Sequence, residues 1–359
     1  MIVNLLIFIS ILFLLFQCIY WIVFFFKVEA SKSTQLEYLL SPVSIIVCFQ
    51  EMNENLIRLI EDLLNQNYLK FEIILVHDAY DVGNLKWVLK HFNDNSKLTL
   101  LHHQKTRGGK KDALSFGIKK ATYTWILLSD ADCWVCSQNW ITNMVKKKGN
   151  TKKIVVGYAP FHKESSWINK LIRFECIMNA LQYMGAIEHG LGYMGVGRNL
   201  LYHRTVGLDQ DVFPELEFGD DDLKINKYAR DCSMAYCLEH ESFVYSFAAH
   251  DYISFFQQKR RHYATSNYYS NQSKIYLGIY FLSLIGFYLL VPLIGFIFGL
   301  VYGMLFYILR IIPVMMIFKQ QSKWFKEQDL VYFFPVWEFL YVLHVLLQLP
   351  LLFIPKKKW

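Results

Sequence analysis

The residues in this chain that could do chemistry gather where short apolar runs break into acids. The clearest case is Thr124-Trp125-Ile126-Leu127-Leu128-Ser129-Asp130-Ala131-Asp132. A buried strand is expected over Trp125 to Leu128, delivering Asp130 and Asp132 at its C-terminal end. Strand side chains repeat every second residue, so the two acids would project from one face. Carboxylates so placed can share a hard divalent cation, which in turn can hold a diphosphate. The plain alternative is an Asp-rich turn closing a strand, because Asp bonds its own backbone there.

Other chemistry-bearing groups recur along the chain. Gln50-Glu51 and His77-Asp78 each follow an apolar run. Arg107-Gly108-Gly109-Lys110-Lys111-Asp112 leads into a helical pattern; glycines admit a ligand close to the backbone, and a Lys at a helix start favours an anion. The GxxxxGK[ST] spacing of a P-loop is absent, and a solvated GG turn is the alternative. Phe218-Gly219-Asp220-Asp221-Asp222-Leu223 puts three acids at the start of an amphipathic helix. Capping and the helix dipole account for one of them. Crowded like charges raise one another's pKa, which suits a general base. Gly195 to Tyr202 is a glycine-punctuated turn running into an apolar segment, and Tyr252 to Tyr263 is aromatic and basic, including Gln258, Lys259, Arg260, Arg261 and His262. The last stretch reads either as a juxtamembrane helix on anionic lipid or as a presenter of Arg to a diphosphate.

Strands are expected at Val43 to Phe49, Phe71 to Val76 and Leu98 to Leu101, with helices at Asn55 to Asn65 and Ala113 to Lys120. Strands alternating with helices imply a parallel sheet covered on both faces, with ligands outside the carboxyl ends of the strands. Gln50-Glu51, His77-Asp78 and Asp130-Asp132 all fall at such ends.

Hydrophobic residues make up 54% of the 359, and the excess lies at the two ends around a polar middle. The apolar run 2–26 is long enough to cross a bilayer core of about 30 Å. It lacks a basic n-region and a cleavage site, so an uncleaved anchor over 1–27 is expected, followed by a linker, 28–41. Lys27 and Lys32 then place the polar domain, 42–250, in the cytosol by the positive-inside rule. After the interfacial segment 251–273, two spans are expected over 274–318, divided near Pro292 or Gly299, then a cytosolic loop 319–329 and a last segment 330–359 that crosses or re-enters. A crossing would put the tri-lysine tail outside, against that rule; Glu338, His344 and Gln348 favour re-entry. The net charge of +7 comes without a basic stripe interleaved with stacking aromatics, so anionic lipid and anionic ligands are expected and nucleic acid is not. The seven cysteines show no paired metal-ligand spacing, which fits a reduced compartment.

In this order the motifs resemble the family 2 glycosyltransferases, in particular the membrane-embedded branch with the cellulose, chitin and hyaluronan synthases. The resemblance runs from about Val43 to His262 and implies an α/β GT-A (Rossmann-like) cytosolic domain between N-terminal and C-terminal transmembrane helices. SIIVCFQEMNE resembles the opening strand and turn, with Gln50 and Glu51 near the nucleoside. Asp78 matches the second acid of the VDDGS element, and His77 replaces the first. GGKKDAL is similar to the GKxxAL segment, which assigns Lys110 to the diphosphate. Asp130 and Asp132 match the Asp-x-Asp motif, implying Mg2+ or Mn2+ with Asp132 as direct ligand. GDDDL resembles the motif supplying the catalytic base, Asp221 or, in the other register, Asp220, with Asp221 preferred. GVGRNLLY is similar to an acceptor-side segment. Gln258, Arg261 and His262 fall on QxxRW, with His in place of the Trp that belongs to the acceptor site of processive enzymes.

The resemblance thus implies an integral enzyme of the cell membrane. It would transfer a sugar, with inversion, from a nucleotide diphosphate sugar, by expectation a UDP-sugar, to a lipid-linked or saccharide acceptor. A processive exopolysaccharide synthase is the first alternative and an inactive nucleotide-sugar-binding subunit the second; retention of the metal and base carboxylates, Asp130, Asp132, Asp220 and Asp221, argues against the latter.

Overall fold

The computed structural model describes residues 2–30, 41–80, 95–105, 110–206, 221–228 and 232–350, with residues 85, 91, 92, 216 and 219 between them. The chain opens with α1 (Ile2–Ile19), continued by one widened turn, Tyr20–Phe25. β1 (Val43–Phe49) enters the polar domain, and α2 (Glu54–Leu64) begins where the Asn53 side chain accepts from Leu56 N. β2 (Phe71–Ala79) and β3 (Leu98–Gln104) follow, then α3 (Lys111–Lys120), β4 (Trp125–Asp130) and the short β5 (Cys133–Val135). Next come α4 (Trp140–Lys148), β6 (Ile154–Gly157), α5 (Trp167–Glu188), β7 (Leu200–His203), α6 (Asp222–Tyr228), β8 (Met234–Cys237) and β9 (Val244–Ser246). Helices close the chain: α7 (Tyr252–Ser266), α8 (Asn271–Phe298), α9 (Leu300–Trp324) and α10 (Phe334–Gln348).

The sheet order is β3-β2-β1-β4-β7-β6-β8. Its first four strands are parallel, as their Val/Ile/Leu runs and intervening helices require. The expected all-parallel sheet is corrected in the other half. β7 runs antiparallel to both β4 and β6, because the chain returns through the long α5 and not through a right-handed crossover. β4 also ends at Asp130, so Asp132 lies in the turn beyond it and strand alternation does not align the two acids.

α2 and α4 cover one face of the sheet through Leu56, Ile60, Trp140 and Met144. α3, α5 and the terminal helices cover the other through Ala113, Ile118, Phe174 and Leu181. α5 is buried nearly all round and forms the shared wall between sheet and helical bundle. Among the described residues, three helices are long and apolar enough to cross a membrane: Val3–Phe25, Asn271–Phe298 and Leu300–Trp324. Gly299, at φ 106, divides the last two, because only glycine takes that conformation without strain. α10 has 15 residues, about 22 Å at helical rise, short of the bilayer core.

In the bundle, Arg310 Nη1 donates to Glu338 Oε2 at 2.6 Å and Nη2 to Oε1 at 2.8 Å, with both residues fully buried. Gln17 and Tyr288 complete the cluster, so α1, α8, α9 and α10 meet at one ion pair. The turn after α9 is tied to the sheet domain. Arg173 on α5 donates to Glu327 at 2.9 Å and to Asp329 at 2.6 Å. Both ends of the α8–α9 hairpin therefore lie on the side of the sheet domain. The tri-lysine tail lies outside the described residues.

Candidate active site

The carboxyl ends of the parallel strands carry the groups expected there. Gln50 and Glu51 follow β1, both exposed. β2 runs further than the apolar run alone implied, so His77 and Asp78 are buried members of the strand. His77 Nε2 lies 3.2 Å from the Gln50 carbonyl oxygen, which only accepts, so that nitrogen carries the proton. His77 Nδ1 then accepts from His102 Nδ1 at 3.3 Å. Asp78 Oδ1 accepts from His103 Nδ1 at 2.8 Å. His102 and His103 were not singled out from sequence; they lie on β3 without a motif, and only the register of β3 on β2 brings them in.

At the end of β4, Asp130 accepts from the Lys110 ammonium, which stands immediately before α3. The two lysines of the motif divide their work. Lys110 reaches the carboxylate, whereas Lys111 is buried and donates to the Leu216 carbonyl at 3.0 Å. Arg107, Gly108 and Gly109 lie outside the described residues. Asp132 is exposed in the turn, and its Oδ1 accepts from Cys133 Sγ at 3.6 Å. Burial and the neighbouring acids hold that thiol well above its usual pKa, so it stays neutral.

Among the described residues no group of three or more His, Cys, Asp and Glu converges as a closed metal site. The donor set nevertheless suits a hard divalent cation, which takes carboxylate oxygens and keeps other positions for water and phosphate. With Lys110 on one oxygen of Asp130, the exposed Asp132 is the more open carboxylate.

The acidic turn precedes α6. Gly219 has φ 82, and a Cβ there would lie 2.6 Å from Leu223 Cδ1, which fixes glycine at this corner. Asp221 Oδ2 accepts from Gly197 N at 2.6 Å, and its Oδ1 from Asp222 N at 2.8 Å. Asp222 is buried and structural: its Oδ2 accepts from Thr265 Oγ1 at 2.6 Å and from Tyr269 OH at 3.0 Å, tying the acidic turn to α7. Asp220 lies outside the described residues.

The GVGRN segment is pinned from below by Asn199, which donates to Tyr158 O at 2.8 Å and Ser242 O at 2.9 Å and accepts from Trp140 Nε1 at 3.0 Å. Arg198, also missed in the sequence, donates to Ala159 O at 2.5 Å and to Ser246.

α7 brings Gln258, Arg261 and His262 to this side of the domain, with Gln258 and Arg261 partly buried and His262 exposed. Lys259, one residue from Gln258, pairs with the buried Glu175 of α5 at 3.2 Å and fixes how the helix is turned. Although part of its surface is open to solvent, His262 has protein packed densely around the ring, and this, then the cations Lys259, Arg261 and Arg198, hold its imidazole below the ordinary histidine range. The ring is neutral at pH 7.

Comparison with known proteins agrees with this geometry. Residues 44–205 match the family model described as "Glycosyl transferase family 2". The poly-beta-1,6-N-acetyl-D-glucosamine synthase of Staphylococcus aureus (strain COL) is 26% identical over 191 residues, covering 48% of this chain and 45% of that protein. The protein of the same name from Staphylococcus epidermidis is also 26% identical, over 48% of this chain and 46% of its own length. This chain thus spans about half the length of the curated relatives it matches. The fold is shared with the mannosyltransferase PcManGT from Pyrobaculum calidifontis, at TM-score 0.56 and 15% identity over 95% of this chain and 96% of that one. Residues 44–205 form a family 2 glycosyltransferase domain of GT-A fold, flanked by helices long and apolar enough to cross a membrane.

Proposed function

We propose that this chain transfers one sugar, with inversion, from a UDP-sugar to a lipid-linked or amphiphilic acceptor at the cytosolic face of the cell membrane. The observation that supports the reading is that Asp78, Lys110, Asp130 and Asp132 lie at or near the carboxyl ends of the parallel strands, while Asp221 is hydrogen-bonded to Gly197 just before β7, the strand beside β4. In this reading Asp221 takes the proton of the acceptor hydroxyl as its oxygen attacks C1 of the donor sugar. The bond from C1 to the diphosphate oxygen breaks on the opposite side. Lys110 and Arg261 receive the charge developing on the leaving diphosphate, and a positioned cation is worth most where water is excluded. Gln50 and Glu51 line the nucleoside, and Gln258 and His262 the diphosphate and acceptor.

Asp132, with Asp130, would hold Mg2+ or Mn2+, which when bound adds positive charge against the diphosphate. PcManGT, of the same fold, binds GDP-Man and Mn2+.

The topology supports a cytosolic catalytic face. In this reading α1 leads to the side of the sheet domain, and the crossings of α8 and α9 return the chain there, where the turn after α9 meets Arg173; the short α10 does not cross again. A processive exopolysaccharide synthase is the second reading, favoured by the activity named for the staphylococcal relatives. His262 in place of an acceptor-stacking Trp weighs for single transfer.

A thermal-shift panel of nucleotide diphosphates and nucleotide sugars with Mn2+ tests the donor: stabilisation by UDP and one UDP-sugar is expected, and no response to any nucleotide would remove the reading. The length of the product formed from that donor separates single transfer from polymerisation.

A further inference from the structure

Asp78 and Asp130 stand on the same face of the sheet. The register sets Asp130 beside Cys48 and His77 beside Phe49, so Asp78 falls level with Gln50, two residues beyond Cys48 and on its face. With β1 between them and an offset of two residues along it, the two positions are about 12 Å apart at ordinary strand spacing. That is the span from the base to the second phosphate of a nucleoside diphosphate. Lys110 marks the phosphate end at Asp130, which leaves Asp78 at the base end.

Asp78 is not offered to a ligand whole. Its Oδ1 is taken by His103, and the His103 ring rests 5.6 Å from that of Phe116 on α3, which keeps the imidazole in place. Among the described residues its Oδ2 has no partner. We propose that His103 is a specificity-determining residue for the donor nucleobase. By occupying one oxygen of Asp78 it leaves a single acceptor, which matches the lone N3–H of uracil between two carbonyls. Guanine presents N1–H and N2–H side by side and needs both carboxylate oxygens; here one of its donors meets an oxygen already engaged. A site that leaves a buried donor unpaired discriminates more strongly than one that merely fits a shape.

The inference rests on the reading of the chain as a nucleotide-sugar transferase, and the experiment separates the two. Calorimetry with Mn2+ measures UDP and GDP binding to the full chain in detergent, as wild type, His103→Phe and His103→Asn. The wild type is expected to prefer UDP by about tenfold or more, the worth of one hydrogen bond. His103→Phe should bring that ratio to about threefold or less, mainly by gaining affinity for GDP, since both oxygens are then open. His103→Asn, whose amide can still donate to Oδ1, should restore much of the preference. An unchanged ratio in His103→Phe, a wild type that prefers GDP, or equal loss of both nucleotides in a variant that unfolds at the normal temperature would each overturn the role of His103. A wild type that binds neither diphosphate would remove the donor reading itself.

Discussion

Asp221 Oδ2 accepts the backbone N–H of Gly197 at 2.6 Å, joining the acidic turn to a loop 24 residues earlier in the chain. The contact leaves no room for a side chain: a Cβ on residue 197 would lie 2.7 Å from that same oxygen. Gly197→Ala should therefore push the carboxylate aside without touching the donor edge. A displacement of this kind costs about a hundredfold in rate. We expect kcat to fall by that order while the KM for donor changes little; an unchanged kcat would detach Gly197 from the base.

Asp132 is exposed and open, whereas Asp130 is engaged by Lys110. Asp132→Ala should abolish the part of nucleotide binding that depends on Mn2+ and spare the part that does not. Calorimetry with and without the ion measures both, and undiminished Mn2+ dependence would take Asp132 out of the metal site.

The Arg310–Glu338 pair is fully enclosed where four helices meet. Removing one partner leaves the other buried and unpaired, which typically costs about 3–5 kcal/mol. Arg310→Met should lower the unfolding temperature in detergent markedly, and Arg310→Met with Glu338→Leu should recover most of the loss. Equal destabilisation by single and double variants would mean that the ion pair is not the reason.

His262 has its pKa held down by the surrounding protein and three nearby cations. A lowered histidine pKa means the ring is already neutral at the acid end of the working range and takes up no proton there. From about pH 5.5 to 8 the acid limb of the pH–rate profile should therefore coincide in wild type and His262→Asn, even if the rates differ. A limb that disappears in the variant would show that His262 titrates in catalysis.

The parallel strands and the helices between them were legible because each buries a continuous or one-sided apolar pattern. β1 begins and ends where the run Val43 to Phe49 does. α5 escaped the same reading: nearly every side is buried, so it has no polar face to set a helical period. β7 escaped because direction within a sheet is decided by the connection, and the short Leu200–His203 run carries no sign of it. In the site, Asp130, Asp132, Lys110 and Asp221 declare themselves by charge beside glycine or an apolar run. His103 and Arg198 do not, since each acts through a partner distant in sequence. Asp222, the third of the acids, turned out to be an anchor for Thr265 and Tyr269, which one acid in a helical first turn commonly is.

The central claim is that Asp221 is the base of a sugar transfer from a nucleotide diphosphate sugar. The direct measurement uses membranes containing the wild type or Asp221→Asn, incubated with Mn2+ and the UDP-sugar that stabilises the protein, and follows sugar incorporated into the acceptor alongside nucleotide affinity. The account predicts that Asp221→Asn loses about a hundred- to ten-thousand-fold in transfer, the usual worth of a positioned base, with UDP binding nearly unchanged. Near-normal transfer by Asp221→Asn would contradict it.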